Sequence, residues 1–192
     1  MRRAHFLTHP EVVIDASVTI TDWPLSERGL ARLRQALPGP CFQSIGAIHA
    51  STERKAADTA RVVAGHLELS HAEHADLGEN DRSSTGYLPR EEFECVADQF
   101  FAEPIKSARG WARAIDEQRR IVGAMRHVLQ ESSVVSTNLI VAHGAVGALL
   151  MANLLGEAIS RQLDQPGNGG GNWFAFDSDG WRIIEGWRSI DP

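Results

Sequence analysis

Two histidines and a lysine stand where short apolar runs of this sequence end. The run "HFLT" ends at His9, "IGAIHA" ends at Ser51 ahead of Lys55, and "NLIVA" ends at His143. If these runs are strands of an open α/β sheet, their carboxyl ends lie along the edge where ligands bind. Helices that start at that edge add unpaired N–H groups and a positive dipole end. The combination predicts a site for an anion, and a phosphoryl group suits it best.

His9 has the features of a nucleophile. Pro10 follows it and restricts its backbone to extended conformations, so the imidazole is expected to be held rigidly. An imidazole can attack phosphorus when its other ring nitrogen is held by a hydrogen bond. The alternative is a structural histidine without a chemical role, because the chain has 8 histidines and most must be bystanders.

Two other segments contain residues typical of binding motifs but match no such motif. The stretch "HLELSHAEH" (66–74) has three histidines, but their spacing fits no metal-ligand pattern. We predict a solvated surface stretch there and no metal site. The glycine-rich "GNGGGN" (167–172) lacks the Gly-Lys-Ser/Thr ending of a P-loop and does not lie between a strand and a helix start. It is predicted to be a flexible connection.

Composition and charge limit the classes of protein to consider. A chain of 192 residues with 43% hydrophobic and 23% charged residues predicts one globular domain over 1–192. The net charge of -6 argues against nucleic acid and acidic membranes as partners. Cys41 and Cys95 are far apart and fit free thiols in a reducing compartment. No signal-peptide core or apolar stretch of membrane-spanning length is present, so we expect a soluble cytoplasmic protein.

Apolar spacing predicts alternating strands and helices. Strands are predicted over 4–8, 44–50, 138–143, 173–177 and 181–187, and helices over 26–37, 51–67, 90–101, 110–131 and 144–156. Residues 68–90 are polar and irregular. The segment from about 68 to 131 is expected to carry a lid loop and helices over the site. The alternation predicts a three-layer α/β/α sandwich with a mostly parallel central sheet.

Five short motifs occur in one order along the chain. They are "LTHPE" (7–11), "PLSERG" (24–29), "STERKAADTA" (51–60), "LGEN" (77–80) and "VAHG" (141–144). In this order they resemble the histidine phosphatase superfamily, whose fold is phosphoglycerate-mutase-like. That family has Arg-His-Gly-Glu, Pro-Leu-Thr-x-x-Gly, Ser-x-x-x-Arg-Ala-x-x-Thr-Ala, Leu-x-Glu and His-Gly at the corresponding places. The resemblance covers about residues 5–155.

The resemblance implies a mechanism for phosphomonoester hydrolysis. His9 would attack the phosphoryl group and become phosphohistidine, and Glu79 would protonate the leaving oxygen and later help to activate water. His143, Gly144 and the basic residue of the "STERKAADTA" motif would hold the phosphoryl oxygens. Phosphoryl transfer needs positioning and charge stabilisation, which protein groups can supply without a cofactor or a metal. The expected partner is therefore a small phosphorylated substrate.

The chain departs from the family pattern at three positions. Thr8 stands where the family has an arginine, Pro10 where it has a glycine, and Lys55 where it has a second arginine. Thr8 can give one neutral hydrogen bond, and a lysine cannot bind phosphate through two donors as a guanidinium does. Arg82, in "ENDRS", is either a replacement cation for phosphate or a solvated loop arginine.

Lys55 and Arg54 compete for the role of phosphate ligand in the "STERKAADTA" motif. A shift of the alignment by one residue would select Arg54. However, Arg54, Asp58 and Arg61 are spaced as a charged stripe on one helix face, which is typical of solvated residues. Lys55 shares its face with Thr59, nearer the apolar side, and the sequence favours it.

Three functions fit these observations. A phosphatase that works through phosphohistidine is the first, since His9, Glu79 and His143 are present. The second is a protein of the same fold that binds a phosphorylated ligand with weakened or no catalysis, as the exchanges at Thr8 and Lys55 suggest. A mutase is third, because 192 residues leave little room for loops that shield an intermediate from water.

Overall fold

Six strands form one sheet in the computed structural model, which describes residues 2–132, 136–167 and 169–191. The strands are β1 (Arg3–Thr8), β2 (Ile45–Ser51), β3 (His71–His74), β4 (Thr137–Ala142), β5 (Asn172–Asp177) and β6 (Arg182–Ser189). The helices are α1 (Glu27–Ala36), α2 (Arg54–Leu67), α3 (Arg90–Ala102), α4 (Ala114–Glu131) and α5 (Gly144–Leu155). Single 3-10 turns lie at Ile20–Asp22, Pro40–Phe42, Ala75–Leu77 and Arg161–Leu163.

The strand order in the sheet is β3-β2-β4-β1-β5-β6. The first four strands are parallel, and β5 and β6 are antiparallel to their neighbours. Helices α1 and α2 pack on one face, and α3, α4 and α5 pack on the other. The predicted three-layer sandwich with a mostly parallel sheet is therefore confirmed.

The central strands are apolar on both sides because both faces of the sheet are covered. Phe6 belongs to the core beneath α4 and α5, whereas its neighbour Leu7 belongs to the core beneath α1 and α2. Strand β4 repeats this alternation with Ile140 and Val141. These continuous apolar runs end abruptly at polar residues, and it is at these ends that the chain leaves the sheet.

Strands β1 and β4 are neighbours in register, with Thr8 opposite Ala142. The residues that follow them, His9 and His143, therefore leave the sheet side by side. Each parallel strand continues into a loop or a helix at this edge, and α5 starts at Gly144, directly after β4. This geometry is what the sequence predicted for the carboxyl ends of the strands.

Apart from shifts of one or two residues at the ends of elements, three features differ from the sequence-based expectation. Residues 68–90, predicted to be irregular, contain β3, which pairs in parallel with β2 as an edge strand. Helix α4 starts at Ala114 and not at 110, because Arg109 and Gly110 adopt left-handed backbone conformations. Helix α2 starts at Arg54, since Ser51 still belongs to β2. None of the helices in the described residues combines the length and apolarity needed to cross a membrane.

Candidate active site

His9 and His143 face each other where β1 and β4 end. The His9 backbone N–H donates to the carbonyl oxygen of Ala142 at 3.1 Å, which continues the strand pairing by one residue. The two imidazole rings lie 5.3 Å apart between centroids, at an interplanar angle of 66°. The two histidines singled out from the sequence thus lie at one point of the sheet edge.

The ring of His9 is held in one tautomer. Its Nδ1 lies 2.8 Å from the carbonyl oxygen of Pro10. Because a carbonyl oxygen only accepts, Nδ1 must carry the proton, and the lone pair of Nε2 is free. Burial, aided by the charge of Lys55, lowers the pKa of His9 to about 4. The ring is therefore neutral at pH 7, as a nucleophile must be.

Glu79 lies at the N-terminus of α5. Its Oε1 accepts hydrogen bonds from the backbone N–H of Val146 at 3.1 Å and of Asn80 at 3.1 Å. Its Oε2 accepts from the N–H of Ala145 at 3.3 Å. A helix N-terminus attracts negative charge, so these contacts hold the carboxyl group one turn from His143.

Glu53 belongs to the same cluster, although the sequence analysis did not single it out. Its Oε1 accepts the backbone N–H of Glu79 at 2.7 Å and lies 3.6 Å from Nε2 of His143. Its Oε2 lies 2.5 Å from Nζ of Lys55. Burial acts to raise the pKa of Glu53, but His143, Lys55 and the hydrogen bonds together lower it to about 2. Glu53 is therefore a buried anion in the "STERKAADTA" motif.

Lys55 is buried, and Arg54 is exposed. Lys55 is 3% exposed, and its ammonium donates to Glu53 and to the carbonyl oxygen of Ile20 at 2.9 Å. The side chain of Arg54 is 55% exposed and lies 3.7 Å from Asp58. The predicted charged stripe is present on α2, because Asp58 also pairs with Arg61. Lys55 points inward, but two protein acceptors already engage its charge.

His143 is fully buried and lacks a close partner. Within the described residues, neither of its ring nitrogens makes a hydrogen bond, and the nearest carboxylate is that of Glu53. Burial lowers its pKa well below the usual value, against the opposing charge of Glu53. Buried polar atoms are nearly always hydrogen-bonded in folded proteins, so the unpaired ring of His143 is an exception that structural packing alone does not explain.

Thr8 and Gly144 contact the loop that precedes β5. The Thr8 hydroxyl donates to Oε1 of Gln165 at 2.7 Å and accepts from the N–H of Asn172 at 3.0 Å. Gly144 has the side-chain amide of Gln165 directly against it. Thr8 thus joins β1 to this loop and has no hydroxyl proton left for a ligand.

Arg82 is a cation without a carboxylate partner in the described part of the chain. Its guanidinium lies over the rings of Phe93, at 5.2 Å, and Trp111, at 5.6 Å. Arginine stacks readily on aromatic faces, which hold the group in place without neutralising it. The charge of Arg82 contributes to the low pKa values of His9 and His143. Of the two readings of Arg82, the structure favours a cation that faces the site.

A cavity of about 510 Å³ opens over His9, Glu79 and Gly144. Arg82, Phe93 and Trp111 form one wall, and another is formed by Asp164, Gln165, Gly167, Gly169 and Gly170. The glycine-rich segment, predicted to be a flexible connection, thus also contributes residues to the cavity wall. Gly171 N–H donates to the carbonyl oxygen of His9 at 3.0 Å, so the segment packs on the nucleophile candidate itself.

The histidines of residues 66–74 lie apart from this cavity. His66 is exposed as predicted, but His74 belongs to β3 and is half-buried, with its Nε2 3.2 Å from Nδ1 of His49. The prediction of a solvated stretch is therefore wrong for His74. Across the described ranges, no three His, Cys, Asp or Glu side chains converge in a way that could hold a metal ion.

Comparisons with known proteins agree with this architecture. A family model described as histidine phosphatase superfamily (branch 1) matches residues 11–187, a range that starts just after the Thr-His-Pro corner. YhfR from Bacillus stearothermophilus has a TM-score of 0.80 at 21% identity, covering 96% of this chain and 95% of that chain. No curated protein sequence matches the chain.

Two further solved structures are similar and carry phosphatase names. A mycobacterial glucosyl-3-phosphoglycerate phosphatase has a TM-score of 0.76 at 20% identity, covering 98% of this chain and 96% of that one. A phosphoserine phosphatase from Entamoeba histolytica, in complex with 3-phosphoglyceric acid, has a TM-score of 0.75 at 16% identity and covers 98% of both chains. At these identities the likeness establishes the phosphoglycerate-mutase-like fold.

Proposed function

Because this chain belongs to the histidine phosphatase superfamily (branch 1), we propose that it hydrolyses small phosphomonoesters through a phosphohistidine formed on His9. The observation that carries the proposal is the state of the His9 ring. Its Nδ1–H is engaged by the Pro10 carbonyl, its Nε2 is left unprotonated, and His9 lines the cavity. A neutral imidazole with one fixed N–H is the form that attacks phosphorus.

In the first step, Nε2 of His9 forms a bond to phosphorus while the bond to the leaving oxygen breaks. Glu79, in its protonated form, transfers its proton to that oxygen, so the leaving group departs as an alcohol. In the second step, water attacks the phosphohistidine and gives a proton to Glu79, and the P–N bond breaks with its electron pair returning to the ring. Inorganic phosphate leaves, and His9 and Glu79 are as they began.

Negative charge on the transferring group is proposed to be met by Arg82, by an N–H of His143 and by the first turn of α5. Arg82 is the cavity cation without a carboxylate partner in the described ranges, and His143 has a buried ring without a hydrogen bond there. Gly144 starts α5, where the helix dipole favours an anion. Lys55 would add a longer-range positive charge that Glu53 partly offsets.

The proposal concerns a small-molecule substrate. A cavity of about 510 Å³ is within the range of sites for small molecules. Two solved structures of this fold, the mycobacterial glucosyl-3-phosphoglycerate phosphatase and the Entamoeba histolytica phosphoserine phosphatase, are complexes with inorganic phosphate and with 3-phosphoglyceric acid. A cytoplasmic location stays a prediction, and the free thiols of Cys41 and Cys95 support it.

Trapping of the intermediate tests the proposal directly. The protein is mixed with p-nitrophenyl phosphate, quenched at alkaline pH and analysed by mass spectrometry for phosphohistidine. We expect a phosphate group on His9, and neither label nor turnover in His9→Ala. The matched control is His66→Ala, which removes an exposed histidine remote from the cavity and should leave both unchanged. Turnover by His9→Ala within a few-fold of wild type would remove His9 from the mechanism.

A second candidate function is binding of a phosphorylated ligand without hydrolysis. The observation in its favour is that Lys55 and Thr8 are both engaged by protein groups. The site then has fewer free donors for a transition state than the family pattern provides. Such a protein would bind phosphate or vanadate but give no phosphohistidine and no turnover in the same experiment.

A further inference from the structure

We propose that the side-chain amide of Gln165 donates a hydrogen bond to a phosphoryl oxygen bound beside His9. It would thereby supply a hydrogen-bond donor in place of the arginine that the family has at the position of Thr8. The inference rests on the proposed function, because it assigns a role at the same site. Gln165 is 157 residues from Thr8 in sequence and belongs to none of the five motifs.

The hydrogen bonds around Gln165 determine which way its amide points. The carbonyl oxygen of Pro166 can only accept, so the Asn172 side-chain atom 3.0 Å from it must be the amide nitrogen. That nitrogen also donates to the Gln165 side chain at 3.1 Å, so the receiving atom is the oxygen Oε1. The amide orientation of Gln165 thus follows from an acceptor that cannot be reversed.

Thr8 strengthens this orientation. Its hydroxyl oxygen accepts the backbone N–H of Asn172. Its single proton has two acceptors within reach, and Oε1 of Gln165, at 2.7 Å, is closer than the carbonyl oxygen of Asn172, at 3.2 Å. Both lone pairs of Oε1 are then used by Thr8 and Asn172. The NH₂ group of Gln165 is consequently held on the opposite side of the amide plane.

The NH₂ group lies against the start of α5. A Cβ atom placed on Gly144 would lie 2.3 Å from Nε2 of Gln165, so only a glycine leaves room for the amide there. Gly144 directly follows His143, and Gln165 lines the cavity together with His9 and Arg82. Among the described residues, Nε2 of Gln165 makes no hydrogen bond to an acceptor. A donor held in position beside the nucleophile candidate lacks an acceptor, and a phosphoryl oxygen would provide one.

The decisive variant is Gln165→Glu. It keeps the oxygen that accepts from Thr8 and Asn172 and replaces only the NH₂ group with an oxygen. At pH 7.5 we expect phosphate affinity, measured by titration calorimetry, and kcat/KM for p-nitrophenyl phosphate each to fall by about 100-fold, the scale for loss of one oxyanion donor. At lower pH the new carboxyl group regains a proton and becomes a donor, so the loss relative to wild type should shrink.

Two further variants control the measurement. Gln165→Met removes the donor without adding charge and should weaken phosphate binding about 10-fold or more at every pH. Gln162→Met changes an exposed glutamine three residues away and should bind phosphate as wild type does. If Gln165→Glu does not fold, Gln165→Met is compared with Thr8→Val, which breaks the contact to Oε1 but keeps the NH₂ group, with both Tm values measured alongside. Weaker phosphate binding by Gln165→Met than by Thr8→Val supports the inference, and equal binding overturns it.

Binding by Gln165→Glu and Gln165→Met within 3-fold of wild type would overturn the inference and leave Gln165 as a link between strands. A loss with Gln165→Glu that stays constant between pH 7.5 and 5 would overturn it too, since a purely structural role has no reason to titrate. Failure of the proposed function looks different. In that case the wild-type protein gives no phosphohistidine, but the effect of Gln165 on phosphate binding can still be measured. If the wild-type protein also binds no phosphate, both the proposed function and the inference fail.

Discussion

Glu53 offsets the positive charge that Lys55 brings toward His9 and His143. The carboxylate contacts the ammonium of Lys55, the Nε2 side of His143 and the backbone N–H of Glu79. The cluster therefore holds its charges in pairs, unlike a pocket with two free guanidinium groups. At the scale of single residues, two measurements test this arrangement: the pH at which His9 takes up a proton, and the stability that the Lys55–Glu53 pair contributes.

The first concerns the state of His9. Its folded pKa of about 4 lies below the usual value, so the ring stays neutral as pH falls from 7 to 5 and takes up a proton only near pH 4. Loss of the nucleophile on the acid side of the kcat/KM profile should therefore occur near pH 4 and not near 6.5. The profile is measured with p-nitrophenyl phosphate, with Tm recorded at each pH. An acid limb centred at 6.5 in a folded protein would show that the ring is solvated and freely protonated.

The second concerns the Lys55–Glu53 pair. Both side chains are at most 10% exposed, so Lys55→Met leaves a buried anion without its partner. Removing one member of a buried pair costs about 3 to 5 kcal/mol, which urea unfolding would reveal. Arg54→Met should cost only about 0.3 to 0.5 kcal/mol, because Arg54 forms an exposed pair.

A double variant tests the cause of that loss. In Glu53→Gln/Lys55→Met the unpaired anion is absent, so most of the stability lost in Lys55→Met should return. Equal costs for Lys55→Met and Arg54→Met would mean that Lys55 is not a buried cation.

At the scale of elements, the segment before β5 supports the residues at the end of β1. Gly171 N–H donates to the carbonyl oxygen of His9, and Arg32 of α1 donates to the carbonyl oxygens of Gly169 and Gly170. Two backbones approach closely here, which requires glycine at the contact. The site thus depends on a loop that sequence patterning describes only as rich in glycine.

Substitutions at Gly170 and Gly167 provide a matched test of whether the segment before β5 supports the backbone of His9. Both have positive φ, at +57° and +74°, so alanine is strained by about 1 kcal/mol at either position. A Cβ on Gly170 would also lie 2.1 Å from the carbonyl oxygen of His9, whereas nothing lies within 4 Å of one on Gly167. Gly170→Ala should therefore lose clearly more stability than Gly167→Ala and should also lower kcat/KM, as the His9 backbone must move. Equal effects of the two variants on unfolding and kinetics would contradict this account.

At the scale of the whole molecule, several histidines are buried in neutral form. Burial is the main cause that lowers the pKa values of His5, His9, His49 and His143 in the folded protein. The unfolded chain binds protons at these positions below about pH 6.5, while the folded chain does not. The free energy of folding therefore becomes less favourable as the pH falls.

The free energy of unfolding should accordingly decrease as pH falls below about 6.5. The unfolded state binds more protons there, so stability rises with pH, by at most about 1.4 kcal/mol per pH unit for each such histidine. Glu53 has a folded pKa of about 2 and adds a further loss only below its unfolded value, near 4.5. Urea unfolding between pH 8 and 5 measures the slope. A stability that stays constant over this range would contradict neutral burial of these rings.

The sequence by itself determined the architecture and the sheet edge at which two histidines lie. Apolar runs that alternate with helical spacing identify a sheet covered on both faces, and the order of five motifs indicates the family. His9 and His143 follow strands that end at the same edge, as the predicted parallel arrangement requires, but it is the pairing of β1 with β4 that places them side by side. Local periodicity is sufficient for these features because burial of one face or both dictates which residues are apolar.

Only the tertiary structure decided how the polar groups pair. The strand β3 is four residues long and lies at the sheet edge, where pairing with β2 imposes a conformation that its own polar residues do not predict. Glu53 turns toward Lys55 and His143, and Gln165 meets Thr8 from 157 residues away. Hydrogen bonds and ion pairs of this kind depend on distances between segments that are remote in sequence. Folding brings those segments together by burying apolar surface, so the polar partners cannot be deduced from local spacing.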